Sequence, residues 1–256
     1  MNFRGDYEMD NNSLNGKTAI VTGASSGIGK AVCERFAEEK INIGLVARRK
    51  EKLERLSKRL EEKYSIKTLV LPTDVRDEEQ VKRTVQETVD KFDQLDILVN
   101  NAGIIRYGEI ENFSTEDYKE VMQTNCDGTF FFTREAIPYV REYKGNLVFI
   151  GSFDANHPRS FNPLYSASKW WLKGFAHSIE SIVGESGVAV TLINPSEVRT
   201  DIKDEKGEKY KEKFDRDEVM DPEEIAEAVF FSVRQEGSTT VSEMNIFRRD
   251  KMSDFF

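Results

Sequence analysis

The stretch Lys17-Thr18-Ala19-Ile20-Val21-Thr22-Gly23-Ala24-Ser25-Ser26-Gly27-Ile28-Gly29 decides how this chain is read. A β-branched run, 17–22, passes directly into a turn with glycine at 23, 27 and 29. A segment of helical period follows through Val32 and Phe36. Glycine lets the backbone approach a pyrophosphate, and a helix N-terminus offers it unpaired N–H groups and a positive dipole end. The unit therefore points to a nucleotide phosphate site. Gly29-Lys30 also matches the end of a P-loop, but that motif needs glycine at 24 and a Mg²⁺-binding hydroxyl at 31. Ala24 and Ala31 stand there, which excludes phosphoryl transfer.

Outward from this unit the same rhythm repeats. Apolar runs at 41–47, 68–71, 96–99, 147–150, 188–193 and 239–246 read as strands buried on both faces. Between them lie helical stripes, Leu53, Leu56 and Leu60, then Val81, Val85, Val89 and Phe92. Ser114 with Asp117 reads as a helix cap. Asp221-Pro222-Glu223-Glu224 is a cap, a proline at the first helical position and acids against the dipole. The alternation predicts an α/β fold, a Rossmann-type doubly wound parallel sheet of about seven strands with helices on both faces and right-handed crossovers. A single domain at 15–248 is expected, with a flexible leader at 1–14 and a tail at 249–256. The charged segment 200–220, with Asp201, Lys203, Asp204, Glu205 and Lys206, reads as a substrate-side lid or a solvated helix.

Composition bounds the function. The chain has 256 residues, 32% of them charged, and a net charge of −9, with a pI near 5.1. That balance argues against nucleic acid or an anionic membrane as partner. No apolar run approaches the roughly 18 residues that span a bilayer. The polar N-terminus lacks a signal-peptide core, so a cytoplasmic protein is expected. Cys33 and Cys126 form no CxxC pattern, which fits a reducing compartment. His157 and His177 have no metal-ligand spacing, so no metal is expected.

The glycine spacing TGxxxGxG resembles that of the short-chain dehydrogenase/reductase family, and the resemblance runs over nearly the whole chain. Asn100-Asn101-Ala102-Gly103 follows the fourth strand and Asn125 lies in the next helix. Ser152 follows the fifth strand, and Tyr165 and Lys169 form YxxxK thirteen residues later. Asn194-Pro195 ends the sixth strand, with Val198 and Thr200 after it. The resemblance implies an NADP(H)-dependent enzyme of the CH–OH class, moving hydride between nicotinamide and a small-molecule carbonyl or secondary alcohol. Tyr165 is then the proton donor. A phenol with a pKa near 10 exchanges protons reluctantly at neutral pH, and a cation beside it lowers that value. Lys169, one helical turn on, supplies the charge and a hydrogen bond to the ribose. Ser152 holds the carbonyl oxygen, and Asn125 binds a relay water.

The cofactor contacts follow the same resemblance. Gly23, Ser25, Ser26, Gly27, Ile28 and Gly29 form the pyrophosphate turn. Asp74 and Val75 meet the adenine, and Asn101, Ala102 and Gly103 pass the adenosine ribose. Pro195, Val198 and Thr200 meet the nicotinamide amide and the pyrophosphate. The second strand ends in Ala47-Arg48-Arg49-Lys50 with no acid to repel a 2′-phosphate. Arg48 is the first choice for a phosphate clamp and Arg49 the second.

The chain departs from the family in two places. Pro195-Ser196-Glu197 replaces the usual Pro-Gly, which points Glu197 toward substrate. Asp154 stands where small or apolar residues are commoner. Asp154 or His157 is thus expected to line a pocket for a polar substrate. Trp170 and Trp171 suit either an interface of a homotetramer, or secondly a homodimer, or burial against the sheet. Arg106 resembles the 3-oxoacyl carrier-protein reductases. The alternative from another class is a non-catalytic NADP-binding regulator, against which stand both Tyr165 and Lys169.

Overall fold

The computed structural model describes residues 14–202, 208–213, 215, 218–235 and 239–254. The expected leader, but for Leu14, lies outside the described residues, as do Lys203, Asp204, Glu205 and Lys206. Strands β1 (Thr18–Thr22), β2 (Asn42–Ala47), β3 (Thr68–Pro72), β4 (Ile97–Asn100), β5 (Asn146–Ile150), β6 (Ala189–Pro195) and β7 (Glu243–Ile246) alternate with helices. The helices are α1 (Gly27–Glu38), α2 (Lys50–Tyr64), α3 (Glu78–Phe92), α4 (Thr115–Met122), α5 (Gly128–Glu142), α6 (Pro163–Val183), α7 (Tyr210–Lys213) and α8 (Pro222–Val233). The strands form one sheet in the order β3-β2-β1-β4-β5-β6-β7, and every pairing is parallel. The seven-stranded, doubly wound expectation holds.

The sheet is covered on both faces because its side chains alternate. Ala19 and Val21 of β1 face a cluster built with Val32, Phe36, Leu53, Leu56, Leu60 and Val229. Ile20 faces the other cluster, with Val81, Val85, Phe132, Val140, Leu172 and Val183. The leucine and valine stripes of α2 and α3 are thus the inward faces of helices on opposite sides. Ser114 and Asp117 form the expected capping box at α4, and Asp221 and Glu224 form one at α8. The last strand is shorter than 239–246, since Thr239 to Ser242 lie outside it. Trp170 and Trp171 are 51% and 36% exposed, so neither is buried against the sheet. Trp171 instead stacks on Phe175, with ring centroids 4.8 Å apart. No helix among the described residues is long and apolar enough to cross a membrane.

Asp96, which the sequence reading took as the first residue of the fourth strand, is the joint before it. Its carboxylate accepts from the Thr18 N–H at 2.8 Å and from Lys17 Nζ at 2.9 Å. Its own N–H donates to Thr18 O at 2.9 Å, and its carbonyl accepts from Asn146 N at 2.8 Å. Three adjacent strands are tied here at their N-terminal ends. A side chain on Gly145 would put Cβ 1.9 Å from the Asp96 carbonyl oxygen, so glycine is required there. Asp96→Ala leaves the buried Thr18 N–H without its carboxylate partner and is expected to cost about 1–3 kcal/mol in urea unfolding. An unchanged midpoint and slope would remove Asp96 from this role.

Candidate active site

Strand order reverses between β1 and β4, and at such a switch point the loops leaving the carboxyl ends of the strands part to form a crevice. The two loops here are bonded to each other. Thr22 Oγ1 accepts from the N–H groups of Asn101 and Ala102, both at 2.9 Å, while Asn101 Nδ2 donates to Thr22 O at 2.8 Å. Gly23 has φ +69°, and a Cβ on it would lie 2.6 Å from Asn101 Nδ2. Both its conformation and its neighbour demand glycine. Ser26 precedes α1 in extended conformation and its side chain makes no cap hydrogen bond to the first N–H groups of the helix.

A cleft of about 1400 Å³ lies over this turn. Gly23, Ser25, Ser26, Gly27, Ile28, Arg48, Arg49, Asp74, Val75, Asn101, Ala102, Gly103 and Thr200, all expected at a cofactor, line it. Gly29 does not. It packs beneath the turn, where a Cβ would lie 2.6 Å from Gly23 O. Arg49 rather than Arg48 reaches the turn: its guanidinium donates to Ser25 Oγ at 2.7 Å and Ser26 Oγ at 2.9 Å. Asp74 is held by the Arg76 guanidinium at 2.6 Å, and that hydrogen bond keeps its carboxyl below the usual range. Thr200 closes the far side, its methyl positioned 3.1 Å from where a Gly27 Cβ would be. The N-terminus of α1, which Ser26 does not cap, and the arginines at the end of β2 fit a dinucleotide carrying phosphate.

The cleft continues into a second pocket of about 790 Å³ that shares Ile28, Asn101, Gly103, Ile105, Thr200 and Ile202 with it. Ser152, Tyr165 and Lys169 line this pocket, with Asp154, Pro195, Glu197 and Val198. The first three arrive on two elements, the segment after β5 and helix α6. Ser152 stands two residues past β5 and caps the short turn Phe153–Ala155. Tyr165 and Lys169 sit a turn apart on α6, which starts at Pro163. Lys169 is buried and donates from Nζ to Ile150 O at 2.8 Å, and its Nζ lies 5.5 Å from the Tyr165 ring centroid. Burial pulls the Lys169 ammonium down to about 8.

The Tyr165 phenol goes the opposite way from expectation. Burial pushes it above its ordinary value, Asp154 adds to the rise, and a hydrogen bond with Ser152 opposes it. The physical reason is visible: Lys169 directs its nearest bond at a backbone carbonyl, while a buried carboxylate stands close by. Asp154 itself is raised by burial, with Arg159 opposing.

Asn125 lines neither pocket. It occupies a π-helical turn, Gln123–Asp127, between α4 and α5. There its Oδ1 accepts from Ile104 N at 2.8 Å, and its Nδ2 donates to Ile104 O and to Ser168 Oγ, both at 2.9 Å. Ser168 Oγ donates in turn to Tyr165 O at 2.7 Å. Asn125 thus ties the loop after β4 to the helix bearing Tyr165, through a serine that sequence reading passed over. His157 is a correction: it is exposed, stacks on Phe153 with centroids 4.5 Å apart, and is absent from the pocket wall. The wall also holds groups that carried no motif. Tyr107 and Tyr210 join hydroxyls at 3.2 Å, Tyr107 stacks on Phe161, and Arg159 and Asn162 complete the rim. The segment read as a lid has its ends fixed: Arg199 N donates to Met220 O at 2.8 Å and Lys211 N to Thr200 O at 3.0 Å.

The comparisons with known proteins agree with this geometry. The chain is 30% identical to an uncharacterized oxidoreductase of Staphylococcus saprophyticus over 91% of its length and 97% of the relative's. It superposes with TM-score 0.82 and 30% identity on a dehydrogenase/reductase from Sinorhizobium meliloti, covering 93% of this chain and 96% of that one. It superposes with TM-score 0.83 and 28% identity on an L-sorbose reductase of Gluconobacter frateurii complexed with NADPH and L-sorbose, covering 91% and 96%. The family model described as short chain dehydrogenase matches residues 17–211, and the chain belongs to that family.

Proposed function

We propose that the protein is an NADP(H)-dependent oxidoreductase that interconverts a small-molecule carbonyl and its secondary alcohol. The observation that carries this reading is the meeting of Ser152, Tyr165 and Lys169 in one pocket that opens into the cleft over the glycine turn. A bound nicotinamide dinucleotide supplies the hydride. Tyr165 supplies the proton: a buried phenol raised above its ordinary value carries its proton throughout the neutral range and gives it up only to an oxygen on which negative charge is developing. Ser152 presents a hydroxyl to that oxygen. Lys169 brings positive charge within 5.5 Å of the phenol ring and so favours the phenolate formed when the proton leaves. Asn125 acts at a distance, through Ser168, by fixing the backbone of Tyr165.

The preference for the phosphorylated dinucleotide rests on the end of β2. No acid stands there, and Arg49 is already braced on Ser25 and Ser26, with Arg48 beside it at the rim of the cleft. Asp74, the nearby acid, has its charge taken up by Arg76. A guanidinium fork matches phosphate oxygens in charge and geometry and gains far less from a bare ribose hydroxyl. The NADPH found with the sorbose reductase is consistent with this choice.

Three outcomes test the reading. Tyr165→Phe is expected to lower NADPH oxidation with any reduced carbonyl by about 10²–10⁴-fold, while the thermal shift produced by NADPH persists; full activity in that variant contradicts the mechanism. Replacing Arg48 and Arg49 together by alanine is expected to raise KM for NADPH by about tenfold or more and to leave KM for NADH nearly unchanged. A wild-type protein that prefers NADH by a similar factor overturns the assignment. The third concerns pH. Lys169 ionises near 8 in the fold, against 10.5 for an ordinary lysine. Between those values the unfolded chain binds more protons, so wild-type stability gains from rising pH there. The penalty is whole below about 8 and gone above 10.5. Lys169→Met removes this contribution, and its urea-unfolding free energy is expected to rise less steeply with pH over that window. Parallel profiles would show that Lys169 is not a penalised buried cation.

A further inference from the structure

Asp154 is the feature of the pocket that the reaction itself does not use. It is buried, and its carboxylate is built into the site rather than turned away from it. Ser152 Oγ donates to Asp154 Oδ2 at 3.0 Å, and the Asp154 N–H returns a bond to Ser152 Oγ at 3.1 Å. Arg159 Nε lies 3.3 Å from Asp154 Oδ1, and Arg159 Nη1 lies 3.5 Å from Glu197 Oε1. The wall therefore carries an acid–base–acid chain, and Lys169 also acts on Asp154 from the same pocket.

We propose that Asp154 makes this a site for neutral carbonyl compounds bearing a hydroxyl on the carbon next to the carbonyl, because the Asp154 carboxylate stands one hydrogen bond beyond the Ser152 hydroxyl that must hold the carbonyl oxygen. The inference rests on the oxidoreductase reading above. In the geometry seen, the Ser152 proton is spent on Asp154. A carbonyl oxygen arriving between Ser152 and Tyr165 must compete with a carboxylate for that proton. A substrate hydroxyl beside the carbonyl removes the competition: it donates to Asp154 in place of Ser152, and the Ser152 hydroxyl turns to the carbonyl oxygen. A carboxylate has about four lone-pair positions, so it can take this donor while keeping Arg159.

The same wall rejects the other classes. An oxo acid, a phosphorylated sugar or an acyl chain on an acidic carrier brings negative charge to Asp154 and Glu197. An amino ketone brings a further cation toward Arg159 and Lys169, which already act on Asp154. A plain alkyl ketone sets a methylene against a buried carboxylate and offers it no donor, and sites built around a substrate hydroxyl discriminate strongly against the analogue without it. Beyond these charged groups the wall is suited to hydroxylated carbon. Tyr107, Tyr210 and Asn162 can exchange hydrogen bonds, and the stacked rings of Tyr107 and Phe161 offer a flat apolar face.

The test is NADPH oxidation by the full-length protein with four small ketones of nearly equal size. These are hydroxyacetone, its methyl isostere butanone, pyruvate and aminoacetone, with diacetyl as an activated reference carbonyl. Hydroxyacetone is expected to exceed butanone in kcat/KM by about tenfold or more, with pyruvate and aminoacetone below both. In Asp154→Ala the hydroxyacetone-to-butanone ratio is expected to fall to about one, through a rise in KM for hydroxyacetone. Asp154→Asn, which keeps an acceptor oxygen, is expected to retain an intermediate ratio. An NADPH-induced thermal shift in both variants certifies their folding. Equal wild-type kcat/KM for hydroxyacetone and butanone, a preference for pyruvate or aminoacetone, or a ratio that survives Asp154→Ala overturns the proposal while diacetyl turnover leaves the oxidoreductase reading standing. No turnover of any of the five, diacetyl included, removes both.

Discussion

The bond network between Thr22 and the Asn101–Ala102 backbone is the constraint on which the rest depends. Parallel strands that run outward in two directions from a centre must separate at their carboxyl ends, and the opening is useful only if its two lips are fixed. A single threonine hydroxyl takes two backbone donors from the opposite lip, and Asn101 returns a bond to the Thr22 carbonyl. This closure forces glycine at 23 and brings Gly103 to the edge shared by the two pockets. At the other end of the same strands Asp96 does the matching work. The sheet is pinned at both ends of its centre, and the site sits on one of them.

Around that frame the active pocket gathers groups whose burial sets their protonation. Lys169 loses part of its hold on a proton and Tyr165 tightens its own, both chiefly through desolvation. Opposed shifts of two neighbouring groups are a mark of sites built for proton transfer. Asp154 acts on the same balance. It strengthens the grip of Tyr165 on its proton, and with Arg159 and Glu197 it turns the pocket wall polar. Ser152 and Arg159 offset the cost of keeping a carboxylate there.

The fold was legible because its signals are local and repeated. The alternation of buried runs with leucine and valine stripes reports both faces of the sheet, and the Ser114 and Asp221 caps mark helix starts from four residues each. The motif residues were legible for the same reason: Tyr165 and Lys169 share a helix, and the turn after β1 is contiguous. What the sequence hid is what the chain brings together from afar. Tyr107 and Tyr210 are 103 residues apart and meet at their hydroxyls. Ser168, between Tyr165 and Lys169, carries no motif of its own, and its bond to Asn125 in the π-turn makes it a link. The sign of the Tyr165 shift was hidden too. Spacing places Lys169 nearby but carries nothing about which acceptor its Nζ chooses or about the burial of Asp154. His157 misled because a polar residue two positions from pocket-lining side chains turned outward onto Phe153.

The central claim is that this pocket moves hydride directly between a nicotinamide ring and a carbonyl carbon while Tyr165 supplies the proton. Reduction of a ketone with NADPH deuterated at the transferable C4 position, run in ordinary water, tests it most directly. The account requires one deuterium on the carbinol carbon of the product and none on its oxygen after work-up, with the label lost from the dinucleotide. Deuterium retained in the dinucleotide, or an alcohol whose new C–H comes from solvent, would contradict it.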